Sequence, residues 1–269
     1  MRLRSPREVR LATLHPNVGL EAEYRRRLEA LVDAMARSVL FWVRAAYRAN
    51  EPEIAADASP AAALSLAMRA LGRRWRREFN DSAERLARYY AKAAEKRTDS
   101  ALRQILKRGG FAVEFSPSRI SNDVLQATIK ANVALIKSIP ERYIGAVEGS
   151  VMRSVQAGRD LASLTRDLRE THGIEKRRAA RIARDQNNKA TSAIARSRQL
   201  DLGIEEGIWM HSHGGKEPRP SHLANDGKRF SLKTGWFDPD ERKWIMPGEL
   251  VSCRCTWRPV VPGVKRSAA

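Results

Sequence analysis

The residues best suited to metal or nucleophilic chemistry lie in the last quarter of this 269-residue chain. Both cysteines of the protein, Cys253 and Cys255, fall there, and so do three of its five histidines, His211, His213 and His222. The cysteines are spaced i, i+2, as are the first two of these histidines. On a strand, residues at that spacing point to one face. Two histidines and two cysteines form a Cys₂His₂ donor set, so all five residues are candidate zinc ligands.

Two other interpretations of these residues stay open. The Cys-x-Cys spacing is tighter than the gaps usual between paired zinc ligands, and the cysteines can instead be small buried hydrophobes beside a structural His222. The catalytic alternatives are a nucleophile–base pair of His222 with a cysteine, and a nuclease-like group of His222, Asp226 and Arg219. A general base must lie within reach of its proton, which the sequence does not establish. We therefore assign no catalytic residue, expect no enzyme activity, and expect no cofactor other than this candidate zinc.

A polar cluster lies in the helix that precedes these residues. Residues 185–188 read Asp-Gln-Asn-Asn and are flanked by Arg184 and Lys189. Aspartate and asparagine are mediocre helix formers, so a mid-helix cluster indicates either a hydrogen-bonding face directed at neighbouring loops or an exposed polar face. Further along, Trp209 is predicted to be a core residue whose indole N–H bonds a loop, and Asp226-Gly227 predicts a tight turn.

Long amphipathic helices precede this block. Apolar residues recur at steps of three and four from Leu20 to Ala46, with Trp42 among them, and again from Leu64 to Tyr90. The segment 51–60, with two prolines, separates the two stripes. The pattern predicts two antiparallel helices in an αα-hairpin. The aromatic residues of the second stripe are interpreted as hairpin core rather than as a stacking platform for bases.

The rest of the pattern predicts a mostly helical chain with a small mixed module at its end. A short strand is predicted at 111–115, and helices at 120–138, 140–157, 160–171 and 175–200. Pro140 is placed in a first turn, and Gly158, Gly173 and Gly203 at helix ends. Strands are predicted at 208–210 and 256–261. The expected fold class is α+β, mostly α: a long basic helical N-terminal region, with an αα-hairpin and further helices, followed by a small α+β C-terminal module.

The formal net charge is +19 and the sequence pI is about 10.7. Such an excess favours contact with nucleic acid, an acidic membrane face or an acidic protein, since self-repulsion is otherwise uncompensated. The alternative is a set of arginine-rich faces that are simply solvated. The predicted contacts to DNA phosphates are Arg73, Arg74, Arg76, Arg77, Arg177, Arg178 and Arg181.

Cysteine usage and the N-terminal sequence bear on the compartment. Cysteines as close as 253 and 255 cannot easily form an unstrained disulfide with each other, so a reducing compartment is expected. The first sixteen residues carry charge but no apolar region typical of a signal peptide. The longest apolar runs are shorter than the ~20 residues that span a bilayer. We therefore expect a soluble protein of intracellular origin.

An ordered set of motifs resembles the phage Mu protein F-like, or phage head morphogenesis, family. The order is ARDQNNK, LGI, W-x-H-S-H, PRPSH, DG, PG and CRC followed by a proline, and the resemblance covers roughly residues 175–261. One departure lies at 213–217, where many relatives have an aspartate ahead of the Arg-x-x-His and this chain reads HGGKE. The residues taken as module signature are Arg184, Asp185, Asn188, Trp209, Arg219, His222, Asp226 and Gly227.

The resemblance implies a minor head protein of a phage or prophage that acts in head morphogenesis at or near the portal, with DNA binding in part of the family. The implied partners are the portal protein, other head proteins and double-stranded DNA, with no membrane and no small-molecule substrate. The implied location is the virion or procapsid, after synthesis in the host bacterial cytoplasm. The alternatives are a zinc-stabilised nucleic-acid-binding module without a head role and a metal-dependent nuclease.

The predicted domain organisation follows from the pattern and the resemblance together. A basic helical hairpin region occupies 1–110, a helical connecting region 111–174, the Mu F-like module 175–261 and a tail 262–269.

Overall fold

The computed structural model describes residues 8–49, 60–157, 161–214 and 217–262. They form a mostly helical α+β fold, so the predicted fold class is confirmed. The helices are α1 (Val18–Ala49), α2 (Pro60–Arg108), α3 (Arg119–Gln156), α4 (Leu161–Asp201) and α5 (Pro220–Ala224). The strands are β1 (Val9–Arg10), β2 (Glu206–Met210), β3 (Arg229–Ser231), β4 (Trp236–Asp238), β5 (Lys243–Ile245) and β6 (Thr256–Val261).

Helices α1 and α2 form the predicted antiparallel hairpin, whose connection at 50–59 lies outside the described residues. Trp75 Nε1 on α2 donates to Ser38 Oγ on α1 at 3.2 Å. Further along α2, the Tyr89 hydroxyl donates to Glu23, which lies earlier in α1. The aromatic stripe is core, as predicted, since Trp75 is 7% exposed. Trp42 was wrongly placed in the core stripe, since it is 48% exposed. The buried face of α1 contains the next residue, Val43, instead.

Helices α3 and α4 are longer than predicted, since each continues through a residue that was expected to interrupt it. Pro140 lies inside α3 rather than in a first turn, and Gly173 lies inside α4 rather than at a helix end. An interior proline costs about 3 kcal/mol and an interior glycine about 1 kcal/mol. The burial of residues before and after each interruption outweighs these costs. In α3, for example, Ile136 before the proline and Tyr143 after it are both buried. Gly158, the other predicted helix end, lies outside the described residues.

The prediction of a strand at 111–115 is wrong. The segment is irregular, although Phe111, Val113 and Phe115 are half-buried between exposed neighbours. These three side chains pack against the apolar core of the mixed module. The alternation of apolar and polar residues therefore arises because one face of this extended segment packs on the core, without pairing to a strand. Periodicity alone does not distinguish such a segment from a strand in a sheet.

A four-stranded antiparallel sheet, in the order β1-β6-β2-β3, lies at the C-terminal end, beside a two-stranded sheet of β4 and β5. The strands predicted at 208–210 and 256–261 are confirmed as β2 and β6, and they pair with Trp209 opposite Trp257. The end of α4 is also as predicted: Gly203 has a φ of +73° in the left-handed region, where glycine is favoured.

The chain divides into two compact units, each built from separate segments. One contains residues up to 21, 90–128 and those from 184 onward, and the other contains 22–89 and 129–183. The first unit holds the sheets around a core that includes fully buried Trp209, so the predicted core position of this tryptophan is confirmed. The division of the chain at 110, 174 and 261 stays a prediction. Residues 263–269 of the predicted tail lie outside the described residues.

Candidate functional site

One face of α4 binds the loops of the mixed module through a row of polar side chains. Asn188 Nδ2 donates to the Cys253 carbonyl at 2.9 Å, and Ser192 Oγ donates to the Pro247 carbonyl at 2.6 Å. Residues at these spacings share one helix face. Asp185 and Gln199 continue the row, accepting from the Ser252 N–H at 2.8 Å and from Trp257 Nε1 at 2.7 Å. The interpretation of the polar cluster as a hydrogen-bonding face directed at loops is therefore confirmed.

Asn187 within the cluster and the flanking residues Arg184 and Lys189 have other partners. Arg184 Nε lies 3.1 Å from Glu21 Oε1, and Asn187 Nδ2 donates to the Asn17 carbonyl at 3.1 Å. Lys189 pairs with Asp185 on the same helix at 2.9 Å. These contacts hold the start of α1 against α4 within one unit.

The two cysteines lie in the loop before β6 rather than on the strand itself, contrary to the prediction. Ser252, between Val251 and Cys253, has a φ of +61°, and its N–H is bound by Asp185. Arg219 also holds this loop, donating to the Val251 carbonyl at 3.1 Å. The geometry of this loop, fixed by these contacts, therefore brings both sulfurs to the same side of the loop. The alternation of side chains along a strand is not the cause.

His222 lies on the short helix α5, directly against both cysteines. Its Nδ1 is 3.6 Å from Cys253 Sγ and 3.6 Å from Cys255 Sγ. The ligand atoms of these three residues all lie within 4.8 Å of one another, and none of the three residues is more than 4% exposed. We call His222, Cys253 and Cys255 the Cys–His cluster.

The second ring nitrogen of His222 lies beside a buried carboxylate that sequence reasoning did not identify. His222 Nε2 lies 3.3 Å from Asp238 Oδ2, and Asp238 has no exposed surface. Although this distance is short, neither atom has a well-aligned hydrogen-bond partner within the described part of the chain. An aspartate is unusual in a strand, and its position at the end of β4 is the only sequence signal that it gives.

Aromatic rings enclose the Cys–His cluster. The Trp209 ring meets the His222 ring edge to face at 5.2 Å, and the Trp236 ring lies 6.4 Å from the same histidine. The indole N–H of Trp209, which was predicted to bond a loop, has no nitrogen or oxygen partner among the described residues. It faces the Cys255 thiol instead.

The electrostatics of the cluster differ between its two thiols. The hydrogen bond from the Cys255 thiol, helped by a contact from His222, lowers the pKa of Cys253. The same contact between the thiols, together with burial, raises the pKa of Cys255. Cysteine sulfur and imidazole nitrogen are both ligands that zinc prefers in proteins.

His211 and His213 lie outside the Cys–His cluster, although the sequence analysis grouped them with it. Strand β2 ends at Met210, so strand alternation does not apply to them. The His211 N–H donates to Asp226 Oδ1 at 2.8 Å, and His213 Nε2 lies 3.2 Å from Asp226 Oδ2. The His211 N–H lowers the pKa of Asp226, whereas burial lowers the pKa of His211. This second group therefore shapes the loop after β2.

The nuclease-like group considered from the sequence is not assembled. Asp226 contacts His211 and His213, whereas His222 contacts Asp238. Asp226 and Gly227 form the predicted turn, with a φ of +74° at the glycine. Glu217, in the segment where this chain departs from its relatives, is exposed, and its neighbours 215 and 216 lie outside the described residues.

The arginines predicted to bind DNA differ in their accessibility. Five of them are exposed: Arg73, Arg74, Arg77, Arg177 and Arg181. Arg76 Nε pairs with Glu141 at 2.8 Å. The side chain of Arg178 is only 14% exposed and donates to Glu175 and Ser138, each at 2.7 Å. Arg178 therefore stabilises the helix packing and is the least available of the seven.

Fold and site together define a helical protein that carries a small α+β module with a buried cluster of two cysteines and one histidine. Among the described residues, no helix combines the length and the apolar character that a membrane crossing requires.

Residues 146–258 match the family described as phage Mu protein F like protein. The resemblance drawn from the motifs is thereby confirmed, and the match begins earlier than expected, within α3. A protein of Haemophilus influenzae described as uncharacterized is 34% identical over 140 residues, which are 51% of this chain and 29% of that relative. The chain thus corresponds to less than a third of the relative's length. No solved structure matches.

Proposed function

We propose that this protein is a minor head protein of a phage or prophage that acts in head morphogenesis at or near the portal. The observation that carries the proposal is the match of residues 146–258 to the phage Mu protein F-like family. Its location is then the virion or procapsid, after synthesis in the bacterial cytoplasm. Its partners are the portal protein and other head proteins, with no membrane and no small-molecule substrate.

The packing of the module supports a docking role rather than a reaction. The face of α4 described above, including Asn188 and Ser192, binds the module's loops through their backbone atoms. Such bonds hold loops rigidly, and rigid surfaces lose little conformational entropy on binding. Both thiols are buried, at 3% and 4% exposure, whereas a nucleophile must reach its substrate. We therefore propose a structural protein and not an enzyme.

Charge supports non-specific binding of double-stranded DNA as a second part of this role. The chain carries a formal net charge of +19. Arg73, Arg74 and Arg77 are exposed on α2, and Arg177 and Arg181 are exposed on α4. Exposed arginines contact phosphates without reading sequence, and such binding weakens steeply as salt rises.

The two alternatives differ in their support. The Cys–His cluster is compatible with a zinc-stabilised nucleic-acid-binding module without a head role, and equally with the head role. A metal-dependent nuclease is supported less, because Asp226 and His222 belong to separate groups. A DNA cleavage assay with added Mg²⁺ or Mn²⁺ distinguishes the nuclease, which would convert plasmid to nicked or linear forms.

Fractionation of assembled heads tests the head role. Heads would be purified from cells producing the complete set of head proteins and from cells lacking the portal, and both would be blotted for this protein. We expect the protein in heads with a portal and its depletion from heads without one. Absence from every head intermediate would overturn the proposal.

Salt-dependent retention of DNA tests the second part. The variant R73A/R74A/R77A/R177A/R181A should bind duplex DNA more weakly, and the slope of log K against log salt should decrease by about 0.9 for each phosphate that the variant no longer neutralises. A control variant removes Arg25, Arg27 and Arg88, each of which pairs with a glutamate one turn away. Equal weakening per removed arginine in the two variants would indicate a general effect of charge and contradict the assigned arginines.

A further inference from the structure

We propose that Cys253, Cys255 and His222 form a structural zinc site in which the carboxylate of Asp238 orients the histidine. The site does not depend on the head role, since it follows from the geometry of the module alone.

The spacing of the donor atoms fits a zinc ion. Zinc lies about 2.3 Å from a thiolate sulfur and about 2.0–2.1 Å from an imidazole nitrogen in tetrahedral sites. At the tetrahedral angle these bond lengths place sulfur and nitrogen about 3.6 Å apart. Both distances from His222 Nδ1 to the sulfurs are 3.6 Å. The nitrogen thus lies at the required distance from each sulfur, and the three donor atoms all lie within 4.8 Å of one another.

Asp238 supplies the partner that a metal-bound histidine needs. Histidine ligands of zinc usually donate the N–H of the other ring nitrogen to a carboxylate or carbonyl, which sets the tautomer and the ring orientation. Here Nδ1 faces the sulfurs and Nε2 faces Asp238 Oδ2 at 3.3 Å. With zinc on Nδ1, the proton lies on Nε2 and is donated to the carboxylate. This use accounts for a fully buried aspartate whose Oδ2 otherwise lacks an aligned partner among the residues that the structure describes.

The charges of the ligands match that of the ion. Zinc binds cysteines as thiolates, and two thiolate charges balance the two positive charges of the ion. The buried indole N–H of Trp209, which faces Cys255 and has no nitrogen or oxygen partner among the described residues, then gains a thiolate acceptor.

The position of the site indicates a structural purpose. It connects three short segments, namely α5, the end of β4 and the loop before β6. Segments this short stabilise themselves poorly, so a shared ion adds stability that the strands do not supply. Each residue of the Cys–His cluster is at most 4% exposed, which keeps substrates away from the ion and favours a structural role. The three protein ligands leave the fourth tetrahedral position open.

The test uses the full chain, purified under reducing conditions without chelator. Elemental analysis should find about one zinc ion per chain, as expected for a single site. The chain has only two cysteines, so a mercurial reagent that modifies thiols acts only at this site. Its addition should release the zinc stoichiometrically into a chromogenic indicator. Chelation should lower the thermal midpoint, and added zinc should restore it.

Variants and a spectroscopic readout keep the proposal falsifiable if the site variants do not fold. C253S/C255S and H222A should lose the zinc, whereas the matched control H213A should retain it, because His213 lies on Asp226 outside the cluster. In the wild-type chain, Co²⁺ should give a thiolate-to-metal charge-transfer band and the visible bands of a tetrahedral site. A folded protein that contains no zinc and takes up neither Zn²⁺ nor Co²⁺ would overturn the inference. Loss of zinc in H213A would overturn the assignment of the ligands.

Discussion

Asp238 Oδ2 lies 3.3 Å from His222 Nε2, and both residues are buried, at 0% and 2% exposure. This contact turns the other ring nitrogen of His222 towards the two cysteine sulfurs. The Asp238 Oδ1 atom is held in turn by the N–H of Asp240 at 3.0 Å. A carboxylate fixed by its own loop thus determines the orientation of the only histidine in the Cys–His cluster.

Replacement of Asp238 by asparagine should weaken zinc binding without removing a ligand. Loss of a carboxylate behind a ligating histidine typically lowers metal affinity about 10–100-fold. Competition with a chromogenic chelator measures the change. D240N is the matched control, because Asp240 is exposed and contributes only its backbone N–H. An unchanged affinity in D238N would mean that Asp238 does not orient the ligand.

Replacement of Asn188 by alanine should destabilise the cysteine loop. The Asn188 amide donates to the Cys253 carbonyl at 2.9 Å in a buried setting, and its loss should cost about 1–3 kcal/mol. Urea denaturation measures the difference. K189A is the neighbouring control: Lys189 makes an i,i+4 pair with Asp185, worth about 0.5 kcal/mol or less. Equal effects of the two substitutions would contradict a specific role of α4 in holding this loop.

The stability of the fold should depend strongly on the ion pair between Arg198 on α4 and Asp99 of α2. Its side chain is only 5% exposed, and it donates to both carboxylate oxygens of Asp99, at 2.9 and 2.8 Å, and to the Ser116 carbonyl at 2.9 Å. A buried charge left without a partner costs about 3–5 kcal/mol. In D99A the contact of Arg198 with Glu95 remains, so the cost should be smaller than that. D99A should still lower the free energy of unfolding far more than E95A, whose longer contact of 3.2 Å is single. Similar destabilisation by the two substitutions would show that the paired geometry is unimportant.

Asp33 should make the stability of the helical hairpin sensitive to acid. Burial alone would raise its pKa, but contacts with Lys176 at 3.0 Å and His172 at 2.7 Å outweigh burial and lower the pKa below the ordinary 3.8. Because the folded-state pKa is depressed, the stabilisation is present above the unfolded-state value and is lost as pH falls through the folded-state value.

The variant D33N should accordingly be less stable than the wild type near neutral pH, and the gap should close in acid. Urea denaturation at about pH 7 and about pH 3 measures both gaps. D167N, which alters an exposed aspartate of α4, should show a small gap at either pH. A D33N gap that is constant with pH would contradict the assigned ionisation.

The sequence predicted the helices well because their apolar residues follow a single period over many turns. The stripes around Leu28 and Phe79 specify which helix faces become buried, and both residues are fully buried. The polar face of α4 was also predicted, since consecutive poor helix formers are costly unless they bond elsewhere. The same reasoning failed at Pro140 and Gly173, because local propensities of a few kcal/mol are smaller than the burial on both sides of each residue.

The candidate site was predicted only in part. The sequence indicated the residue types, with Cys253, Cys255 and His222 among five candidates. His211 and His213 looked equivalent to His222, because spacing carries no information on where a strand ends. Asp238 gave only the weak signal of an aspartate in a strand, since an aspartate at a strand end is ordinarily solvated and only burial beside an imidazole makes it a partner.

By itself, the sequence determined the long helices, the strands β2 and β6, the basic charge and the order of motifs that relates this chain to the phage Mu protein F-like family. These properties depend on local periodicity and composition, which a chain carries along its length. Only the tertiary structure decided which histidine joins the cysteines and which carboxylate stands behind it. Residues 222, 238 and 253 are separated along the chain, and their meeting depends on loop geometry that α4 enforces through hydrogen bonds to the backbone.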